Sequence, residues 1–329
     1  MQQRPLGSTG RLVSAISLGT WQFGPDWGDV TETEAFAVME AAVAAGVTLF
    51  DTADVYGDGR SETLIGRFLA AHPGIELTVA TKMGRRVEQV ASNYTPANFR
   101  AWLDRSRQNL GVATIDLVQL HCPPTDVIDN PATYDELRQL VDEGVIAAYG
   151  VSVETCDQAL TAIGFGVTNI QIIINPFRLK PLDAVLPAAA AASVAIFARV
   201  PLASGLLSGR YTPATTFPAT DHRTYNRHGE SFDKGETFSG VDFETGLQAA
   251  AELSAALPDN VALPTACLAW VASRPGVTAA IPGARNVAQV TSNAKAADLL
   301  DGGFDLDAFD AKVHDVYDRL LRAEIHPQW

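Results

Sequence analysis

The sequence contains few cysteines, and their arrangement excludes two classes of protein. Its 329 residues include three cysteines, Cys122, Cys156 and Cys267, and none of them has the spacing of a metal-binding pair. A low and odd count is typical of a reducing compartment and argues against a secreted fold built on disulfides. We therefore expect a cytoplasmic protein without a metal site.

The sequence also lacks long hydrophobic runs. The first 20 residues contain no continuous apolar segment of the kind that signal peptides have. The most apolar stretch, LPAAAAASVAIFA at 186–198, is too short to cross a bilayer and contains a proline. The sequence thus predicts neither a signal peptide nor a transmembrane helix.

Basic residues are scarce relative to acidic ones. There are 24 Lys and Arg against 38 Asp and Glu, which gives a net charge of −14 and a pI of about 4.8. An acidic surface repels nucleic acid and anionic membranes, so we expect neither as a partner. A small ligand that carries phosphate is still compatible with this composition, because a few local arginines and backbone N–H groups suffice to bind it.

The sequence is rich in short, apolar, β-prone segments that alternate with helical patterns. Near-continuous apolar runs of this kind are typical of parallel strands covered on both faces. The predicted strands are 14–19, 47–53, 77–83, 115–121, 146–152, 169–175, 193–200 and 277–283.

Helix start and stop signals lie between these strands. Thr31 and Glu34 have the spacing of a capping box, and Ser61 is positioned to cap the next helix. Thr95 precedes a proline at the first helical position of a further pattern, which Gly111 ends. Eight strand–helix units in one chain predict an α/β fold of the (β/α)8 TIM-barrel type.

We expect this barrel to occupy 1–329 as a single domain, because no linker-like segment divides the chain. A long loop, about 211–245, follows the seventh predicted strand, and a periodic segment at 306–324 predicts an extra helix after the eighth unit. Long loops in compact domains are usually functional. The tract at 227–236 within this loop contains a histidine and acids without metal-site spacing, so we expect a cofactor clamp or a substrate wall there.

Polar residues mark the carboxyl ends of the predicted strands, where a TIM barrel builds its active site. Asp51 ends the second strand and Tyr56 follows it, Lys82 ends the third strand, and His121 ends the fourth. A lysine beside an aspartate keeps its charge, and that charge should lower the pKa of the neighbouring tyrosine. Such a tyrosine could exchange a proton with a carbonyl that the histidine holds, while a separate hydride donor, usually a nicotinamide cofactor, supplies electrons.

Several segments carry a more specific signal through their order and spacing, although each alone is common. They are LGSTGRLVSAISLGTWQFG (6–24), DTADVYGDGRSETLIG (51–66), VATK (79–82), DLVQLH (116–121), GVS (150–152), PLASGLLSGRY (201–211) and IPGARNVAQVTSN (281–293). Together they resemble the aldo-keto reductase superfamily, in particular its subgroup with potassium-channel β-subunit-like and sugar or aldehyde reductase-like members. The resemblance implies an N-terminal β-hairpin before the barrel.

The resemblance further implies a catalytic tetrad of Asp51, Tyr56, Lys82 and His121, with Tyr56 as the general acid. It implies NADPH as the cofactor, lying across the barrel mouth, and leaves NADH open. The cofactor positions that match are Ser152 and Gln171 for the carboxamide, Pro201, Leu202, Ala203, Ser204, Gly205 and Arg210 for the pyrophosphate, Arg285 for the 2′-phosphate, and Gln289 and Asn293 for the adenosine, with Gly283 as a further cofactor-binding residue.

Three positions depart from the family pattern. Val153 stands where an asparagine often follows the carboxamide serine, and Ser292 stands where an acid usually precedes the adenine-site asparagine. Arg199 stands where an aromatic residue often stacks on the nicotinamide. Its guanidinium could stack on the cofactor or pair with an acid of the long loop. Arg285 could bind phosphate or form a surface ion pair.

The sequence says less about the substrate than about the catalytic tetrad and the cofactor. Trp21, Phe23 and Trp27 lie where the resemblance implies an aromatic wall, and aromatic faces suit sugars and aryl aldehydes alike. The leading hypothesis is reduction of an aldehyde, ketone or sugar carbonyl, or oxidation of the alcohol. The alternatives are an NADP(H)-binding sensor with a protein partner, and a lyase with Lys82 as Schiff-base nucleophile. The sequence is compatible with a monomer or a homo-oligomer.

Overall fold

Eight parallel strands form one sheet that closes into a barrel. The structure is a computed structural model and describes residues 1–24 and 30–329. Neighbouring strands in the sheet are consecutive in the chain. The barrel strands are β3 (Leu18–Gly19), β4 (Leu49–Asp51), β5 (Thr78–Met83), β6 (Leu117–His121), β7 (Tyr149–Ser152), β8 (Asn169–Ile173), β9 (Ala195–Arg199) and β10 (Val277–Ala280).

The first and last barrel strands meet through single bridges. Ile16 pairs with Ala280 and Gly19 pairs with Gly283, both in parallel. These bridges close the sheet, so the predicted (β/α)8 barrel is confirmed. A two-stranded antiparallel hairpin precedes it, formed by β1 (Gln3–Pro5) and β2 (Leu12–Ser14). The predicted strand at 14–19 therefore divides, because Ser14 belongs to the hairpin.

Helices surround the barrel, as amphipathic segments between parallel strands must. Those after the first five barrel strands are α1 (Glu32–Ala44), α2 (Arg60–Ala71), α3 (Pro96–Leu110), α4 (Thr125–Ile128), α5 (Pro131–Asp142) and α6 (Cys156–Gly164). The later ones are α7 (Lys180–Asp183), α8 (Val185–Ala191), α9 (His222–Tyr225), α10 (Phe243–Ala255), α11 (Leu263–Ser273), α12 (Val287–Ala294), α13 (Ala296–Leu300), α14 (Leu306–Leu320) and α15 (Arg322–Ile325).

The structure confirms two of the three predicted helix N-caps. Thr31 and Glu34 form a reciprocal capping box, and Thr95 accepts a hydrogen bond from Asn98 N at the start of α3. Ser61 does not cap α2, which begins after Gly59 in a left-handed conformation. The Ser61 hydroxyl is instead buried and donates to Thr20 Oγ1 at 2.8 Å, which ties α2 to the end of the first barrel strand.

The segment 211–245 lies at the carboxyl end of β9 and has little regular structure. It contains α9 and the 3-10 turns Lys234–Glu236 and Phe238–Gly240. Part of this segment is nevertheless buried, including His222, Glu236 and Phe238. The long loop is therefore packed onto the mouth of the barrel, where the polar strand ends also lie.

Candidate active site

Asp51, Lys82 and Tyr56 meet at the mouth of the barrel because β4 and β5 are parallel neighbours. Lys82 Nζ donates to Asp51 Oδ2 at 2.6 Å, to the Thr52 carbonyl at 2.8 Å and to the Tyr56 hydroxyl at 3.4 Å. An ammonium group has three donors, so these partners use all of them. Lys82 is 1% exposed, and the arrangement aims its charge at the Tyr56 hydroxyl.

The other oxygen of Asp51 is held by two glutamines. Gln171 Nε2 donates to Asp51 Oδ1 at 2.7 Å, and Gln119 Nε2 lies 3.4 Å from the same atom. The sequence predicts a cofactor role for Gln171 and does not single out Gln119. Gln119 lies two residues before His121 on β6, so strand alternation is the signal that could have indicated it.

His121 faces the same tyrosine from β6. The ring centroids of His121 and Tyr56 lie 6.0 Å apart with an interplanar angle of 84°. His121 Nδ1 is buried and has no hydrogen-bond partner among the residues that the structure describes. Burial, together with the charges of Arg85 and Lys82, holds the pKa of His121 well below its usual range. The imidazole is therefore neutral and can hydrogen-bond a carbonyl oxygen.

The pKa of Tyr56 differs from the sequence-based expectation. Burial raises this pKa, Lys82 lowers it, and the net direction is upward. The expected net fall is wrong because burial of the phenol outweighs the nearby ammonium group. Tyr56 is thus a protonated phenol at neutral pH, and Lys82 is positioned to stabilise the anion that forms when the proton leaves.

Lys82 itself remains a cation. Burial lowers its pKa, but the attraction of Asp51 and Tyr56 is larger in sum, so the net pKa is raised. A Schiff-base nucleophile must be a neutral amine with access to its substrate. A buried lysine that remains charged and donates three hydrogen bonds meets neither condition, which argues against the lyase hypothesis.

A cavity of about 540 Å³ opens beside this cluster. Tyr56 and His121 line it together with most of the residues that the resemblance assigns to a cofactor: Ser152, Gln171, Arg199, Pro201, Leu202, Ser204, Gly205, Arg210, Gly283, Arg285 and Gln289. Two assigned residues lie behind its wall. Ala203 is fully buried, and Asn293 Nδ2 donates to the Gly283 carbonyl at 3.3 Å.

The donors of this cavity suit a phosphorylated dinucleotide. Arg210 and Arg285 both line it, and two guanidinium groups can bind phosphate oxygens. Arg285 forms no ion pair with any residue in the described ranges 1–24 and 30–329. The chain between Val200 and Gly205 has left-handed residues at Val200, Ala203, Ser204 and Gly205, which bends this loop along the cavity.

Arg199 pairs with an acid of the long loop, which is one of the two predicted possibilities. Its Nη1 lies 3.4 Å from Glu236 Oε1, and its Nη2 donates to the Val153 carbonyl at 3.1 Å. Val153 thus accepts a hydrogen bond through its backbone carbonyl, although its side chain has no polar group. Arg199 also lines the cavity, so its guanidinium group faces both the loop and the ligand space.

Of the three predicted aromatic residues, Trp21 lines the cavity beside Tyr56. The Trp21 ring lies 6.0 Å from the Tyr56 ring at 18°, and it contacts His222 at 4.8 Å and Phe232 at 6.2 Å between centroids. Phe23 is fully buried and lies outside the cavity lining, and Trp27 lies outside the described residues. His222 and Phe232 come from the segment 211–245 and pack against Trp21 outside the cavity lining, and of the two only Phe232 belongs to the tract at 227–236.

Comparison with known proteins identifies a family that this chain matches over most of its length. A model described as "Aldo/keto reductase family" matches residues 15–302. An uncharacterized oxidoreductase of Mycobacterium tuberculosis is 35% identical over 295 residues, which are 87% of this chain and 85% of that protein. Aldo-keto reductase YhdN of Bacillus subtilis is 29% identical over 88% of this chain and 87% of its own length.

A solved structure extends the similarity to the fold. The glycerol dehydrogenase AKR11B4 from Gluconobacter oxydans matches with a TM-score of 0.79 and 29% identity, over 99% of this chain and 98% of its own. Among the described residues, no helix has the length and apolar character needed to cross a membrane. The barrel, the polar strand ends and these matches show that the chain belongs to the aldo/keto reductase family.

Proposed function

We propose that this protein is an NADPH-dependent oxidoreductase that reduces an aldehyde, ketone or sugar carbonyl, or oxidises the corresponding alcohol. The observation that carries the proposal is the Tyr56 hydroxyl, which lies 3.4 Å from Lys82 Nζ at the wall of a large cavity. Lys82 in turn is bound to Asp51. A protonated phenol next to a fixed ammonium group is a suitable acid for a carbonyl oxygen.

Each member of the tetrad has a separate task in this mechanism. Tyr56 donates its proton to the carbonyl oxygen, and Lys82 stabilises the tyrosinate that results. Asp51, oriented by Gln171 and Gln119, keeps Lys82 charged and in place. Neutral His121 donates a hydrogen bond to the same carbonyl oxygen. Bound NADPH would supply the hydride that reduces the carbonyl carbon.

The cofactor would be held by residues from several strand ends. Ser152 and Gln171 line the cavity together with Tyr56 and His121, and the Ser152 hydroxyl lies 3.4 Å from Gln171 Oε1. Arg210 and the loop from Pro201 to Gly205 would hold the pyrophosphate, and Arg285 would hold the 2′-phosphate. On this proposal residues 1–329 work as one domain, because the cavity takes its lining from both halves of the chain.

The sensor alternative receives less support. A protein that acts through a partner should expose a large apolar patch. The exposed large hydrophobic side chains of the described residues are Leu12, Val87, Val90, Leu160 and Val287. They come from the hairpin, the loop after β5, α6 and α12, which lie in separate parts of the fold. The completeness of the tetrad and its cavity favours an enzyme.

The proposal is tested by replacing the proton donor. We expect Tyr56→Phe to lower kcat for NADPH-dependent reduction of an aldehyde panel by about 100-fold to 10 000-fold. NADPH binding, followed by fluorescence titration, should change little. Ser106→Ala serves as a control, because it removes a buried hydroxyl group on α3 outside the cavity lining. Equal rates in wild type and Tyr56→Phe would refute the mechanism, and tight NADPH binding without turnover by wild type would favour the sensor.

A further inference from the structure

A second ionised carboxylate lies in the same cavity and has no task in the mechanism above. Glu236 belongs to the long loop, is 6% exposed and lines the cavity together with Tyr56 and His121. It is close enough for its charge to raise the pKa of Tyr56. Any carbonyl compound that reaches Tyr56 therefore binds within the electric field of this carboxylate.

Two arginines of the barrel hold Glu236 in place. Arg85 Nη2 donates to Glu236 Oε1 at 2.8 Å, and Arg85 Nη1 lies 3.4 Å from Oε2. Arg199 Nη1 lies 3.4 Å from Oε1. Burial raises the pKa of Glu236, but the two guanidinium groups outweigh it and the net pKa falls to about 2. Glu236 is thus an anion at every pH at which the enzyme would work.

The backbone around Glu236 is fixed as well. Ser204 Oγ donates to the Glu236 carbonyl at 3.0 Å and accepts from Phe238 N at 3.1 Å. Phe238 and Ser239 have left-handed φ values of 54° and 60°. Non-glycine residues adopt this conformation only where surrounding contacts enforce it. The segment that carries Glu236 is therefore built into one position at the barrel mouth.

The local charges are balanced only when Glu236 is present. Arg85 also lies 3.6 Å from Glu154, so Arg85 and Arg199 face Glu154 and Glu236. Cys122 Sγ, Glu154 and Glu236 lie near enough to share a metal ion. The two guanidinium groups already lie against these carboxylates, which opposes the entry of a further cation. Loss of the Glu236 charge would leave this end of the cavity positive.

We propose that Glu236 determines substrate specificity by accepting hydrogen bonds from substrate hydroxyl groups and by repelling substrate carboxylates. A carboxylate has about four acceptor positions. Arg85, Arg199 and Cys122 Sγ approach Oε1, whereas Oε2 has one long contact with Arg85 and has capacity for another donor. Trp21, which lines the cavity and is backed by the His222 and Phe232 rings, would cover the carbon face of the same substrate. The preferred substrates are then neutral carbonyl compounds with hydroxyl groups near the carbonyl, which deepens and rests on the function proposed above.

The test compares three small aldehydes as ratios of kcat/KM, so that general losses of activity cancel. Glyceraldehyde is neutral and hydroxylated, propanal has no hydroxyl group, and glyoxylate is an anion. In Glu236→Gln the glyceraldehyde-to-propanal ratio should fall about tenfold or more, because a charge-assisted hydrogen bond is lost. The glyoxylate-to-propanal ratio should rise by a similar factor. Glu230→Gln, an exposed position of the same loop, should change neither ratio.

A double variant separates the two effects. Arg85→Gln combined with Glu236→Gln restores the charge balance without restoring the carboxylate. The glyoxylate-to-propanal ratio should return toward the wild-type value, whereas the glyceraldehyde-to-propanal ratio should remain low. A glyoxylate ratio that stays high in the double variant would contradict the charge argument.

Folding is checked by thermal unfolding of each variant. If Glu236→Gln does not fold, Glu236→Asp replaces it, because this variant keeps the charge and withdraws the carboxylate. It should lose preference for glyceraldehyde and still discriminate against glyoxylate. Unchanged ratios in a folded Glu236 variant would overturn this inference and leave the reductase intact. Absence of wild-type turnover on all three aldehydes and on a wider panel would instead refute the proposed function.

Discussion

The carboxyl group of Asp54 is buried two residues before the proposed proton donor. Its side chain is 1% exposed, and neither carboxyl oxygen has a hydrogen-bond partner among the described residues. Burial and the charge of Glu62 raise the pKa of Asp54 to about 8. A neutral carboxylic acid therefore occupies this position at neutral pH, which spares the loop a buried charge beside the tetrad.

This residue makes stability depend on pH with a defined sign. The folded-state pKa lies above the unfolded value of about 3.9, so its contribution is fully present below that value and is lost as the pH rises toward 8. Asp54→Asn removes the titration. We expect its stability advantage over wild type to grow from pH 5 to pH 8, by about 1 kcal/mol per pH unit, and to level off above.

The measurement is urea unfolding of both proteins at several pH values. Asp58→Asn is the matched control, since Asp58 lies on the same loop with a 76% exposed side chain that pairs with Arg86 and Arg105. The control should show no such trend. A constant difference between Asp54→Asn and wild type across this range would mean that Asp54 is already ionised in the folded protein.

At the scale of elements, the long loop is fixed by a residue far from it in sequence. The Trp329 ring packs on the Arg178 guanidinium group at 3.6 Å, and its Nε1 donates to Asp233 Oδ1 at 3.1 Å. A side chain at Gly240 would collide with this indole at 2.3 Å, and one at Gly235 would collide with the Arg178 guanidinium group at 2.2 Å and lie 3.1 Å from the indole. Trp329 therefore packs against residues on both sides of Glu236 and holds the segment 233–240 at the barrel mouth.

Replacing this indole should loosen the loop more than the barrel. We expect Trp329→Ala to lose about 3 kcal/mol or more of local stability, since a large buried side chain is removed. Hydrogen exchange should accelerate in peptides that cover 233–240 and change little in β5 and β6. Gln328→Ala, at the exposed neighbouring position, is the control. Equal acceleration throughout the barrel would show that Trp329 supports global stability instead.

The sequence predicts the barrel strands and helices better than it predicts the loop that carries Glu236. The strands and the caps at Thr31 and Thr95 follow from local patterns, because apolar runs and capping side chains act over a few residues. Glu236 could not be assigned in this way. Its partner Arg85 lies 151 residues away, and Phe238 and Ser239 adopt left-handed conformations although neither is a glycine. The predicted cap at Ser61 is wrong for the same reason, because Ser61 bonds to Thr20, which is distant in sequence and follows the first barrel strand.

At the scale of the whole molecule, cofactor binding should be measurable as stability. The net charge of −14 opposes a phosphorylated ligand, so binding must depend on a few local cations. A ligand that binds only the folded state stabilises it by about 2.7 kcal/mol at 100 times its Kd. Thermal unfolding with and without NADPH or NADH thus reports binding independently of turnover.

Replacement of Arg285 should change the stabilisation by NADPH and leave the stabilisation by NADH unchanged. It lines the cavity, and in the proposed arrangement it contacts only the 2′-phosphate, which NADH lacks. We expect Arg285→Gln to weaken NADPH binding about tenfold or more, which reduces the stabilisation to about 1.4 kcal/mol at the same concentration. Stabilisation by NADH should not change. Arg138→Gln removes an exposed charge on α5 and should change the stabilisation by neither cofactor. If Arg285→Gln weakened both cofactors equally, Arg285 would contact the part that they share, and the preference for NADPH would have to arise from another cation of the cavity, such as Arg210.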